Sequence, residues 1–204
     1  MTARVSKSFS FQTGVHFHNT FSINTYHTAI DFDIETESIR EQNIALERIK
    51  YFLDFCLENS IFIDESETES IQKYHDADIK VCTLPKEPYD QIIGIMLMTK
   101  LNSISEGRLV ATDITITSKM SDGVAYHHSI EENTGPFKNN GWWHENSLRM
   151  SNLVKPNKSK KVVKLKKSPY SWEELYLTWT DPIEATPNTV SEVVFANFDT
   201  KTDK

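Results

Sequence analysis

Residues 9–34 read FSFQTGVHFHNTFSINTYHTAIDFDI, and this stretch decides the fold. Apolar residues recur at a period near two: Phe9 and Phe11, then Val15, Phe17, Phe21 and Ile23, then Ile30, Phe32 and Ile34. Alternation of this kind marks strands with one buried face. The parity changes between Ile23 and Ile30, so a single buried face requires a turn or bulge near 24–27, and Gly14 offers another turn. The stretch reads as two strands, or three short ones.

Ser38 and Glu41 form a capping box that opens a run with Ile39, Ala45, Leu46, Ile49, Phe52, Leu53, Cys56 and Leu57 at helical spacing. An amphipathic helix over 38–58 is expected. An acidic loop with Asp64, Glu65, Glu67 and Glu69 follows, then a short strand from Ile79 to Thr83. Pro88 suits the first turn of a second helix that runs to Ser105 and stops at Gly107. Its apolar residues cover more than one stripe, so burial on most sides is expected. Val110, Ile114 and Ile116 alternate with Asp113, Thr115 and Thr117 over 109–118, and Asp122-Gly123 turns that strand into 124–130.

The fold class is therefore α+β, an antiparallel sheet with two helices packed on one face in the order ββααββ. Residues 1–131 are expected to form the core domain and 132–204 an irregular C-terminal extension. That extension holds Trp142 and Trp143 in a Gly- and Asn-rich loop, where they are expected to cap an edge of the core. It continues into a possible strand at Val162–Leu165, a short helix from Ser171 with its own capping residue Glu174, a possible last strand at Val190–Phe198 and six disordered terminal residues.

Composition excludes several classes. With 38% hydrophobic and 25% charged residues, the chain can bury a core, and wholesale disorder is not expected. There is no apolar run of membrane-spanning length and no signal-peptide core at the N-terminus, so a cytoplasmic protein is expected. Cys56 and Cys82 each lie in an apolar run and read as reduced core thiols. The net charge of −7 makes nucleic acid an unlikely main partner, although seven lysines between Lys155 and Lys167 stand without an acid. Scarce Gly with abundant Ile, Asn and Lys suggests an AT-rich source such as a phage or a marine microbe.

For chemistry, the chain has no Gly-rich phosphate loop, no nucleophile elbow and no Cys-x-x-Cys pair. His16 and His18 are two apart on a strand and are expected to leave one face, a spacing suited to two imidazoles on one zinc. His27, His127, His128 or His144 could supply a third ligand. Asp31 and Asp33 share the exposed side of their strand and could hold a cation or a basic group.

The pattern resembles the tunnelling-fold family of 6-pyruvoyl- and 6-carboxy-tetrahydropterin synthases. His16-Phe17-His18-Asn19 is similar to the family's His-Gly-His-Asn, and Ile30-Asp31-Phe32 to its strand ending in Asp-Phe. The resemblance covers residues 9–130. It implies a homo-oligomer around a tunnel, zinc on His16 and His18, and a small heterocycle at a subunit interface held by Asp113 or Asp31 together with Asn19. The catalytic cysteine that precedes the histidine motif is absent. So is the Asp-His pair after the first helix, where Glu58, Asn59 and Ser60 stand. The reading is thus a binding protein with doubtful synthase activity, and the alternative is a non-enzymatic assembly scaffold.

Overall fold

The computed structural model describes residues 3–18, 20–137, 140–152 and 171–180. Strands β1 (Ala3–Phe17) and β2 (Thr20–Ile34) pair along their whole length, from Ala3 opposite Ile34 to Phe17 opposite Thr20. The turn thus falls at 18–19, and His18 takes the positive φ of 46° that a two-residue hairpin loop demands. Neither Gly14 nor 24–27 turns the chain, which corrects the sequence reading. The apparent parity change has a different cause: Phe21 and Ile23 face away from the core and are largely exposed, while Asn24, Tyr26, Thr28, Ile30 and Phe32 are the inward set.

Helix α1 (Ile39–Tyr51) starts at Ser38, whose Oγ accepts from the Glu41 backbone, and runs on into a π-helical turn, Phe52–Leu57. After it come β3 (Ile61–Asp64), helix α2 (Thr68–Asp76), β4 (Val81–Leu84), α3 (Asp90–Ser105), β5 (Leu109–Ser118) and β6 (Ala125–Ser129). The six strands lie in the order β4-β3-β1-β2-β5-β6. Both β1–β3 and β3–β4 are parallel pairs, so the sheet is mixed, with an antiparallel meander at its centre. The expected acidic loop is short, because Asp64 closes β3 and Glu69 already belongs to α2.

One face of the sheet carries α1, its π-helical turn and α3. Phe11, Tyr26, Phe32, Ile49, Phe52, Phe62, Leu97 and Ile114 meet there in one buried cluster. As the apolar pattern requires, α3 is buried on most sides. Helix α2 sits on the opposite face, at the β3–β4 end, where Ile71 packs with Ile63 and Val81. Beyond α2 this second face is uncovered and lined by polar residues such as Ser8, Ser10, His27, Thr115 and His127. A β-bulge at Thr112 lets Ala111 and Ile114 both face the core, so Val110 lies off the face that the alternation gave it.

Trp142 and Trp143 are fully buried against α3, together with Phe137, as core caps. The Trp142 indole N–H donates to Thr83 O at 2.9 Å, and the Thr83 N–H donates to Met150 O at 2.8 Å, fastening this segment to β4. Residues 171–176 form a turn rather than a helix, although the Ser171 hydroxyl does accept from Glu174 N. Asn19, the Lys155–Lys167 run, the strands expected at 162–165 and 190–198, and the last six residues lie outside the described residues.

A Cβ on Gly141 would fall 2.2, 2.3 and 2.8 Å from three atoms of the buried Trp143 ring. Gly141→Ala is therefore expected to cost about 1–3 kcal/mol, because an indole locked in the core cannot swing aside. Urea unfolding checks this, and a variant as stable as the parent would contradict the packing.

Candidate functional site

The sequence-predicted histidines separate. His16 stays on the α2 side of β1, where its Nδ1 lies 2.8 Å from the Tyr74 hydroxyl of α2. His18 has left the strand for the turn and sits 3.0 Å from Glu87 through Nε2. The shared face expected of them does not exist, because the hairpin turns at His18. Among the described residues, no group of three or more His, Cys, Asp or Glu side chains is placed to hold a metal ion. His27 meets Ser10, His127 meets Thr115 and His128 meets Glu132, each through Nδ1 at 2.8–3.1 Å.

Asp31 and Asp113 are brought together. They are directly opposed on β2 and β5, on the uncovered face, where Asp31 accepts from Ser6 and Asp33 pairs with Arg4 at 2.9 Å. The sheet stands between them and the helices.

A cavity of about 260 Å³ opens instead on the helix side of the sheet, at the start of α3. Val15 and Phe17 of β1 and Asn24 and Tyr26 of β2 form its floor. Pro88, Tyr89 and Asp90 close one side, and Met120, Ser121 and Tyr126 the other. Local sequence explains each wall. Pro88 sets the chain entering α3, which places Asp90 in its first turn. Asn24 Oδ1 accepts from Met120 N at 3.2 Å and so pins the turn after β5 against β2. The Phe17 and Tyr89 rings meet edge to face with centroids 5.0 Å apart.

Several polar groups here are buried without a well-formed hydrogen bond, although polar side chains lie beside them. The Tyr26 hydroxyl and Asp90 Oδ2 are buried without a hydrogen bond, as are Thr13 Oγ1 and Ser118 Oγ. Thr13 lies near the Tyr26 phenol, and Ser118 near the Asp90 carboxyl. Burial pushes the Tyr26 phenol far up, against the pull of Asn24 and Thr13. It also raises the Asp90 carboxyl above the ordinary carboxylate range, against Ser118 and Ser121. An unpartnered buried polar group costs roughly 1–3 kcal/mol, and two of these four, on Tyr26 and Asp90, belong to the cavity lining, which marks it as a place to receive something. Sequence reading missed Asp90 because a carboxylate in a first helical turn looks like ordinary dipole compensation. Tyr26 went unnoticed as one aromatic among many.

Neither cysteine lines the cavity. Burial raises the Cys56 thiol to about 11 and pushes Cys82, fully enclosed, up as well. Among the described residues, no helix is long and apolar enough to cross a membrane.

No protein-family model matches the chain, and no curated protein sequence matches it. Solved structures of similar fold do. An uncharacterized protein from Wolinella succinogenes is 11% identical with a TM-score of 0.49, and the match covers 64% of this chain and 99% of that one. The 6-pyruvoyl tetrahydropterin synthase from Plasmodium vivax is 11% identical with a TM-score of 0.40 over the same shares. The synthase from Plasmodium falciparum is 15% identical with a TM-score of 0.38, covering 63% and 99%.

Proposed function

We propose that the chain binds a small planar nitrogen heterocycle, of the pterin or purine type, in the cavity at the start of α3, and that a second copy of the chain completes the site. The observation that carries this reading is the convergence of Asp90 Oδ2 and the Tyr26 hydroxyl, both buried without a well-formed hydrogen bond, on one cavity. A carboxylate accepts two ring or amino N–H groups side by side, a phenol donates to a ring carbonyl, and the Phe17, Tyr89 and Tyr126 rings supply stacking surface. The volume lies near the lower end of ordinary ligand pockets. Asp90 thus takes the part that the sequence suggested for Asp31 and Asp113, which face the other side of the sheet. Binding rather than synthase chemistry is proposed, because no thiol reaches the cavity.

The second copy is inferred from the rim. Tyr89, Met120 and Tyr126 are 52%, 57% and 39% exposed, and Val124 continues this apolar surface beside the outer edge of β6. A sheet edge beside exposed apolar side chains suits strand pairing with another copy. It also suits the alternative, an assembly scaffold.

Fluorescence titration with pterin and with guanosine tests the reading. Asp90→Asn is expected to weaken binding roughly 10- to 100-fold, the loss of one charged hydrogen-bonded partner. Asp31→Asn and Asp113→Asn should bind as the parent does. An Asp90→Asn protein of unchanged affinity overturns the site, and a stable oligomer that binds neither probe favours the scaffold.

The same variant carries a signature in pH. Asp90 has a raised folded pKa, so its contribution to stability is present below the ordinary carboxylate range and is lost as pH rises through the folded value. Asp90→Asn should therefore melt higher than the parent at neutral pH, and the gain should vanish in acid.

A further inference from the structure

A second cavity, of about 350 Å³, lies where the C-terminal half of α3 faces β6 and the loop that follows it. Met98 and Ile130 give it apolar walls, and it is separate from the cavity at the start of α3. Asn102 and His144 line it too, and Asn102 is turned to the backbone of Ala111, donating to its O at 3.2 Å and accepting from its N at 2.6 Å. The three hydroxyls of the lining have one character. The Thr99 hydroxyl spends its proton on Ile95 O at 2.9 Å. Ser103 spends its proton on Thr99 O or Trp143 O, at 3.0 and 2.9 Å, and Thr134 on Phe137 O at 3.3 Å. Each oxygen is left with lone pairs only.

His128, nearly buried, has its Nδ1 3.1 Å from Glu132 Oε2. An ionised carboxylate only accepts, so Nδ1 carries a proton, and in the tautomer protonated there alone Nε2 offers a lone pair. Glu132 adds negative charge behind it, and the cavity lining holds no lysine or arginine. A site of acceptors backed by a carboxylate suits a ligand that brings donors.

From this we infer that the α3–β6 cavity is a binding site for a small aliphatic amine, with the ammonium held by His128 Nε2 and the hydroxyl oxygens of Thr99, Ser103 and Thr134. Met98 and Ile130 would cover the alkyl chain. An anion finds no free donor on the three hydroxyls. The chain's net charge of −7 draws cations toward the surface as well.

Putrescine and methylammonium, titrated into the full chain with sodium acetate as an ionic-strength control, test the inference by calorimetry and by the imidazole ¹H–¹⁵N spectrum. The expected result is a saturable shift of the His128 resonances with either amine and none with acetate. His128→Phe should weaken putrescine binding at least about tenfold, the equivalent of about 1.4 kcal/mol. Thr134→Val, which keeps the side-chain shape, serves as the second variant should His128→Phe fail to fold, and is expected to weaken binding in the same direction. Asp90→Asn must leave amine binding unaltered, which keeps this result apart from the heterocycle site. An acetate response equal to that of the amines would overturn the inference. So would an absence of saturation up to roughly 20 mM, beyond a millimolar Kd, or full binding by whichever variant folds.

Discussion

Lys100→Met is expected to lower the free energy of unfolding by about 3 kcal/mol and the Tm by roughly 6–12 °C for a chain of this size. The lysine projects from α3 and is fully buried. Its ammonium donates to three main-chain carbonyls, Trp142 O at 2.9 Å, Glu145 O at 2.7 Å and Ser147 O at 2.7 Å, and lies 5.6 and 5.3 Å from the Phe52 and Trp142 ring centres. Desolvation draws its pKa down to about 7. The Glu145 carboxylate opposes that shift. Methionine fills the same length but donates nothing. Trp142 O then keeps only the long bond from the Glu145 N–H at 3.2 Å, while Glu145 O and Ser147 O recover water only by opening the segment. The cost of desolvating the ammonium disappears at the same time, which keeps the net figure below the sum of three lost bonds. Chemical denaturation with matched m-values is the measurement. A difference under about 0.5 kcal/mol would mean that the ammonium does not organise this segment.

Arg48→Met should cost about 3–4 kcal/mol and should also free one identifiable stretch of chain. The guanidinium is almost wholly buried, donates to Leu177 O at 2.8 Å and to Ile104 O at 3.2 Å, and pairs with Glu106 at 2.8 Å. It lies 4.8 Å from the Trp172 ring centre and 3.8 Å from that of Trp179. Burial lowers the Arg48 pKa. Burial would also push Glu106 up, but hydrogen bonds from Arg48 and Asn146 carry it below the usual range. Residues 171–180 are thus held around Arg48, assisted by Arg108 over Trp179, by Arg40 on Trp179 O and by the buried Trp172, whose indole N–H donates to Asn146 O. In Arg48→Met, limited proteolysis should cut near 171–180 much faster, and Trp172 and Trp179 should emit at longer wavelength. Arg48→Lys should recover little, because a point charge cannot bond two carbonyls, pair with a carboxylate and stack on two indoles at once. Parental proteolysis in either variant would refute the clamp.

Much of the sheet was legible because its signals were local. The Ser38–Glu41 cap, Pro88 ahead of α3, Asp122-Gly123 between β5 and β6 and the span of β5 each depend on residues a few positions apart. What escaped was set by pairing over distance. Phe21 and Ile23 are apolar on the uncovered face, so hydrophobicity alone pointed the wrong way round the hairpin, and Gly14 suggested a turn within a strand that runs straight through it. The bulge at Thr112 left no mark in the alternation, and β3 was too short to stand out from the helix before it. The candidate site was less legible still. Histidine spacing drew the eye to His16 and His18, whereas the cavity is made by Asp90, Tyr26 and Asn24, and their meaning lies in burial without partners, which no spacing encodes. Nothing in the local pattern marks Lys100 or Arg48 as buried either, since their carbonyl partners lie 40 or more residues away in the C-terminal segment or at the far end of α3.

The fifteen-residue strands on either side of the turn at 18–19 also bear on the order in which the chain assembles. Joining them closes almost no loop, so the entropic toll of zipping that ribbon is small and is met by neighbours in sequence. The parallel strands β3 and β4 enjoy no such economy, since each must wait for a helix to cross back over the sheet. During synthesis, the first 34 residues can therefore stand as a template on which the later strands dock, two on each flank, as they emerge.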